Sequence, residues 1–416
     1  MQKSKGVTMF NKTIGGIFIL TGSAIGAGML ALPLVGASAG FFYSAILLIL
    51  NWLLMTLTAL LTLEATLAFK PHNNSFGTMT RKILGRPGQV ITWFSYLLLL
   101  YATTAAYICG STSLLDVILK NTIHIQLPFW ISTTLFTLFF GGIVFLGTNI
   151  VDYSMRFLLS AKAILLMVVL VVLVPYVDSS KLLAQSFSAQ YLWVAAPIFL
   201  NAFGFHFAIP SVSIYCDQHA KNMRWVIIAS TTIPLIIYIL WLLATFGIIP
   251  ITGKLSFTTI AHTNTSVGGL IQTLNSITKN KYTASCINIF SNIAMTTSFL
   301  GVALGLFDFL ADGFKRANTY MGRLQTAILT FLPPILFALF YQNGFITALE
   351  YSAFFAIILE VFLPALLVYR LRSNNTLQST YRVPLNRHFL LILLFGIGLL
   401  LMFTVVAKRL NLLPLS

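Results

Sequence analysis

Residues 21–33 read Thr21-Gly22-Ser23-Ala24-Ile25-Gly26-Ala27-Gly28-Met29-Leu30-Ala31-Leu32-Pro33, inside an apolar run that extends from about residue 14 to residue 37. That run is long enough to cross a bilayer as a helix, which takes about 20 apolar residues. Its middle resists the helix. Glycine costs about 1 kcal/mol relative to alanine and proline about 3, and three glycines fall within seven residues. Two readings fit: the helix opens at membrane depth, or the small residues let a neighbouring helix pack closely. From Pro197 to Pro210 another apolar run is interrupted in the same way, at Asn201-Ala202-Phe203-Gly204-Phe205-His206.

The chain around these stretches has 416 residues, 58% hydrophobic and 8% charged, with a mean hydropathy of +0.90. Soluble domains carry about 45–50% apolar and about 25% charged residues. So few charges cannot build a water-facing surface, which excludes a soluble enzyme, a disordered protein and a nucleic-acid binder. Eleven segments are long enough to span, near 14–37, 41–69, 90–116, 129–147, 156–176, 190–215, 225–248, 284–311, 323–341, 346–370 and 389–408. Only helices and closed barrels satisfy the backbone in lipid, and these runs are too uniformly apolar for barrel strands, which alternate. The expectation is an all-α polytopic membrane protein with 11 transmembrane helices. It forms a single transmembrane domain over residues 1–416, whose longest loops are 70–89 and 249–283.

Lys3, Lys5 and Lys12 ahead of the first run imitate a signal peptide, but the run continues to about Ala37 with no convincing cleavage site. It reads as a span that stays. Cys109, Cys216 and Cys286 form no CxxC and support neither a disulfide framework nor a zinc site. Seventeen lysines and arginines collect on the N-terminal side of the bilayer and seven on the other, with Lys162 alone inside a span. The positive-inside rule then places the N-terminus in the cytoplasm and, with eleven spans, the C-terminus outside. The net charge of +16 belongs to the headgroup interface, and the lipid bilayer, with no nucleic acid, is the expected surroundings.

The positions of the two interruptions decide between opening and packing. Spans 1 and 6 each begin a block of five, about 14–176 and about 190–371, with the span at about 389–408 left over. Five is odd, so the second block enters from the opposite side and the blocks are inverted. Interrupted spans at matching places in inverted repeats point to a secondary transporter with its site at the midplane.

Several motifs then become informative together: TGSAIGAGMLALP (21–33), SAK (160–162), FGFH (203–206), SFLGVALGLFDFLAD (298–312) and GRLQTAILTFLPPILFALFY (322–341). From about Asn11 to the last span the chain resembles the bacterial hydroxy/aromatic amino acid permeases, most of all their tyrosine-specific members. The resemblance implies the LeuT-like, 5+5 inverted-repeat fold of the amino acid–polyamine–organocation superfamily, with helices 1 and 6 broken. It also implies a proton-coupled symporter for an aromatic amino acid, tyrosine first, with a broader aromatic or tryptophan permease as the alternative. The chain departs from those permeases beside the FGFH run, where it has Asn201-Ala202 and Phe207 in place of small polar residues and glycine.

An amino acid zwitterion in a dry site needs donors for its carboxylate, acceptors for its ammonium and a slot for its ring. Amides around Gly26, Ala27 and Gly28 are expected to face the carboxylate at the positive end of a restarting helix. Carbonyls near Thr21 and Gly22, and near Phe199 and Asn201, are expected to accept from the ammonium. Phe203 and Phe205 flank Gly204 and are candidates for the ring, with Tyr101, Thr104 and Tyr107 in span 3. The candidates for a ring hydroxyl are Asn201, Thr104, Ser298 and His206, with Asn201 favoured because an amide both donates and accepts. His206, the one histidine within a span, also fits a role bracing the broken backbone.

Ionisable residues within a membrane are functional suspects. Glu64 and Asp308 lie toward span ends, where pairing with loop arginines is expected. Glu360 lies deeper and is a candidate for proton transfer. Lys162 lies about seven residues into span 5, about 10 Å below the interface at 1.5 Å per residue, and either snorkels or carries the proton. The resemblance implies the second role, in a place lined by Thr21 or Gly22 and by Thr297 or Ser298. Other classes fit less well. HExxH and GxxxxGK[ST] do not occur, which removes the usual metalloprotease and ATP-pump motifs. A channel would want a ring of charges or carbonyls, and glycine breaks do not exclude one. No metal or cofactor is expected, and no obligate protein partner is evident.

Overall fold

A computed structural model describes residues 2–70, 76–120, 124–183, 189–263, 267–316, 319–373, 378–410 and 412. They are helical with no strand among them. The first apolar run gives α1 (Gln2–Ala24), a 3-10 turn (Ala27–Leu30) and α2 (Leu32–Gly36). The two apolar halves, 12–24 and 27–36, meet at 46°. Pro33 falls in the first turn of α2, where a missing N–H leaves no bond unmade. Then come α3 (Phe41–Thr66), α4 (Phe76–Ile118), α5 (Phe129–Leu146) and α6 (Thr148–Leu173). The short α7 (Ser179–Leu183) precedes α8 (Ala189–Asn201), which is followed by a 3-10 turn (His206–Ala208), α9 (Ile209–Tyr215) and α10 (Ala220–Ile248). The remaining elements are α11 (Phe257–Thr263), α12 (Val267–Thr278), α13 (Lys281–Gly313), α14 (Tyr320–Phe340), α15 (Phe345–Ala356), a π-helical stretch (Ile357–Phe362), α16 (Leu363–Leu371) and α17 (Arg387–Arg409).

Among the described residues ten helices are long and apolar enough to cross a bilayer, or eleven when the bent first pair is taken as one span. The chain is a multi-pass membrane protein. Two loops are less empty than their sequence suggested. Part of the 70–89 loop, residues 71–75, lies outside the described residues, but α4 already begins at Phe76, within the expected loop. Gly85 interrupts it at φ +74°, a left-handed backbone that glycine adopts freely, two residues before Pro87. The 249–283 loop holds α11 and α12; α12 buries Leu270, Ile271 and Leu274 at helical spacing.

Helix α13 runs through the middle of the bundle, packed on α4, α6, α5 and α14. Helix α3 packs on α10, α8 and α16, and α15 lies between α4 and α8. Outward-facing side chains such as Phe139, Phe157 and Ile392 remain exposed on the spans, as a lipid-contacting surface requires. Asn280, Thr319 and Asn386 cap α13, α14 and α17 with their side chains.

Glu64 pairs with a loop arginine as its position implied. Both Arg372 Nε and Nη2 donate to its carboxylate at 2.6 Å, and Val383 N–H adds a third bond at 2.8 Å. Asp308 instead is exposed and forms no ion pair with the described residues. With Glu64 only 1% exposed, an Arg372→Leu variant strands a buried charge. The expected cost is about 3–5 kcal/mol of stability, read from denaturant unfolding in micelles. An Arg372→Leu/Glu64→Leu double variant should recover most of it, and equal losses in both would show that the charge is not what matters.

Candidate functional site

The first interruption follows from where its backbone bonds go. Ile25 N–H still reaches Thr21 O at 2.8 Å, but Gly26 N–H turns to Ala24 O at 2.8 Å and Ala27 N–H donates to Ser298 Oγ at 2.8 Å. The carbonyls of Gly22 and Ser23 therefore lose the amides four residues on that a continuous helix supplies. Gly26 is extended, at φ −114° and ψ −168°. Lys162 Nζ donates to the buried Ile25 O at 2.7 Å.

The second interruption works similarly. Phe203 N–H bonds Leu200 O at 3.0 Å and Gly204 N–H bonds Asn201 O at 3.1 Å, so the Phe199 carbonyl is passed over. The backbone resumes in the 3-10 turn at His206. Tyr238, fully buried on α10, directs its hydroxyl at both interruptions, 2.8 Å from Ala24 O and 2.8 Å from Ala202 O.

Between them lies a cavity of about 770 Å³, within the size range of small-ligand sites. Its walls come from α1 and the turn after it (Gly22, Ser23, Gly26, Gly28), α4 (Thr92, Trp93, Tyr96, Thr103, Tyr107), α6 (Lys162), residues 201–207, α13 (Thr297, Ser298, Phe309) and the π-helical stretch (Glu360). It reaches Trp93, Phe309 and Asp312 at the end of the bundle where α13 finishes. There Phe309 packs on Trp93 at 5.2 Å and on Tyr96 at 5.1 Å between ring centroids, and Tyr96 lies 6.2 Å from Phe207.

Gly22, Gly26, Gly28, Asn201, Gly204, His206, Ser298, Lys162, Thr297 and Glu360 all line this cavity. Other candidates do not. Tyr101 points its hydroxyl away, donating to Leu329 O on α14 at 2.8 Å, and Thr104 is fully buried with its hydroxyl on Leu100 O. The cavity face of α4 is the stripe Tyr96, Leu100, Thr103 and Tyr107. At 100° per residue, Tyr101 and Thr104 fall off that stripe. Phe199 is fully buried in the core, and Phe203 meets Tyr238 edge-on at 5.3 Å. Phe205 is buried in a separate apolar cluster with Leu20, Ala59 and Ile209.

Backbone roles shift too. The Thr21 carbonyl stays in the helix, and its buried hydroxyl has no partner among the described residues. Of the three expected amides, those of Gly26 and Ala27 are already bonded, which leaves Gly28 N–H. Lys162 takes its carbonyl from Ile25 rather than from Thr21 or Gly22. Thr297 turns its hydroxyl back to Ile293 O at 2.8 Å, and Ser298 is occupied by Ala27.

Glu360 is 4% exposed, and its Oε1 lies 3.6 Å from His206 Nδ1. Neither that Nδ1 nor Glu360 Oε2 has a hydrogen-bond partner among the described residues, while His206 Nε2 lies 2.9 Å from Thr58 Oγ1. A hydrogen in place of a side chain at Gly204 makes room for this acid: a Cβ there would lie 3.1 and 3.2 Å from the two carboxylate oxygens. Among the described residues no three His, Cys, Asp or Glu side chains gather to hold a metal ion.

Membrane-spanning helices arranged around an internal cavity fit a transporter. The profile of the tryptophan/tyrosine permease family matches residues 9–404, and the chain belongs to that family. It is a transporter and not an enzyme. It is 37% identical to tyrosine-specific transport system 2 of Haemophilus influenzae over 94% of this chain and 95% of that one. It is 36% identical to tyrosine-specific transport system 1 of the same organism, over 97% and 99%. It is 35% identical to a tryptophan-specific transport protein of Shigella flexneri, over 96% of both chains.

Proposed function

We propose that the protein is a proton-coupled symporter that imports an aromatic amino acid, tyrosine first, across the bacterial inner membrane. The observation that carries this is the meeting of two interrupted spans on one cavity. There Gly22 and Ser23 offer free carbonyls, Gly28 offers a free amide, and no carboxylate pairs with Lys162 among the described residues. A zwitterion finds an acceptor set for its ammonium and a donor for its carboxylate without meeting a fixed charge pair. The relatives named for tyrosine and tryptophan transport support an aromatic side chain.

The repeats are residues 14–176 and 190–371, inverted, with α17 outside them. The N-terminus is cytoplasmic and the C-terminus periplasmic, so the end of the cavity beside Asp312 lies on the cytoplasmic side. Lys162 holds the driving proton, and its bond to Ile25 O ties α6 to the first interruption.

Labelled tyrosine uptake into proteoliposomes with an acid exterior should saturate and collapse with a protonophore. Uptake that never saturates would identify a channel. Tryptophan competing more strongly than tyrosine would make tryptophan the substrate.

A further inference from the structure

At the cavity wall, Thr103 and Asn201 form, with Ser352 behind them, a relay whose hydrogen positions can be assigned. Thr103 Oγ1 donates to Leu99 O at 2.7 Å, which uses its only hydrogen. The 2.7 Å contact between Thr103 and the fully buried Ser352 must then carry the Ser352 hydrogen. Ser352 Oγ is left with lone pairs alone, and it accepts from Asn201 Nδ2 at 3.2 Å. A flipped Asn201 amide would set its oxygen against Ser352 Oγ with no hydrogen between them. Asn201 lines the cavity, and its Oδ1 accepts no bond from the described residues.

We infer that the Thr103–Ser352–Asn201 relay holds Asn201 Oδ1 toward the cavity as a fixed acceptor, so that the site selects aromatic amino acids whose ring carries a donor hydrogen. This rests on the aromatic reading above and adds what distinguishes one aromatic substrate from another. A phenol O–H or an indole N–H satisfies the acceptor. Phenylalanine leaves it dry and unpaired, a loss that is typically larger than the net gain from making the bond. Asn201 acts by contact, and Ser352 and Thr103 are positioning residues. An amide able to turn either way would serve donors and acceptors alike; one pinned by its own NH2 group serves donors only.

The test is binding of four ligands to the purified full-length transporter: tyrosine, 4-aminophenylalanine, phenylalanine and 4-fluorophenylalanine. The first two carry a ring donor and should bind about 10- to 100-fold more tightly than the last two. Thr103→Val frees the Ser352 hydrogen to turn toward Asn201, allowing the amide to flip, and should bring that ratio close to unity; Thr103→Ser should restore it. Asn201→Leu should abolish the ratio, whereas Asn201→Asp, which keeps an acceptor, should preserve a preference for donors. Equal wild-type affinity for tyrosine and phenylalanine, or an unchanged ratio in Thr103→Val, overturns the relay and leaves the aromatic reading intact. Failure of all four ligands, with tryptophan also unbound, overturns the aromatic reading itself.

Discussion

Gly204→Val is expected to remove substrate binding at concentrations that saturate the wild type, while the protein still inserts and elutes as a monodisperse species. The Cβ alone would meet Glu360 Oε1 at 3.1 Å and the Asn201 carbonyl at 3.2 Å, so both neighbours must give way. The acid lies beside His206, and the Asn201 carbonyl already holds Gly204 N–H. Overpacking of this kind costs about 1–3 kcal/mol before any loss of shape is counted, and β-branching resists the local geometry further. Gly26→Val should behave alike, because its Cβ would lie 3.2 Å from the Ser298 Oγ that holds Ala27 N–H. Gly396→Ala on α17, where nothing lies within 4 Å, is the control for glycine replacement in general. Wild-type affinity in both valine variants would mean that the interruptions serve packing alone.

Lys162→Ala is expected to end accumulation against a gradient while substrate still exchanges across the membrane. Lys162 is 5% exposed, and among the described residues its ammonium bonds to Ile25 O at 2.7 Å. Its loss unties α6 from the first interruption and, under the proposed coupling, removes the site that holds the driving proton. Lys162→Arg should fail equally, because guanidinium does not release its proton in a protein. Counterflow and uphill uptake at matched expression separate the two functions. Uphill uptake at the wild-type rate in the arginine variant would transfer the proton to the His206–Glu360 contact, the other buried ionisable group on the cavity wall.

Span positions were legible in the sequence because a bilayer imposes one length on every run, and the described helices keep the expected spans to within a few residues at most ends. The 70–89 loop also holds helix from Phe76 to the break at Gly85, a short stretch that carries no membrane-length apolar signal. At the site, glycines and Lys162 were legible because each is anomalous where it stands. Aromatic residues were not. With 35 phenylalanines in the chain, proximity to Gly204 was a poor guide, and Phe203 and Phe205 went to the core. The facing of α4 needed the cavity: steps of three from Tyr107 lead to Thr104 and Tyr101, whereas the path through Thr103 and Leu100 to Tyr96 is the one that lines it. Tyr238 had no local signal, since its role exists only where two segments distant in sequence come together. Glu360 stands out in the sequence as an acid deep in a span, but its contact with His206 depends on how α15 and the π-helical stretch lie against the second interruption.

The hydroxyl of Tyr238 has one hydrogen and two carbonyls to serve, Ala24 and Ala202, each at 2.8 Å. A shared hydrogen gives each acceptor less than a full bond, so neither segment is held as firmly as its distance implies. Displacing one segment weakens its contact, but the hydrogen then aligns better with the other, and the loss on one side is offset on the other. Over small excursions the energy thus changes less than it would with two independent bonds. The tyrosine acts as a swivel between the interruptions: it keeps them neighbours in an apolar interior while leaving their relative position comparatively soft.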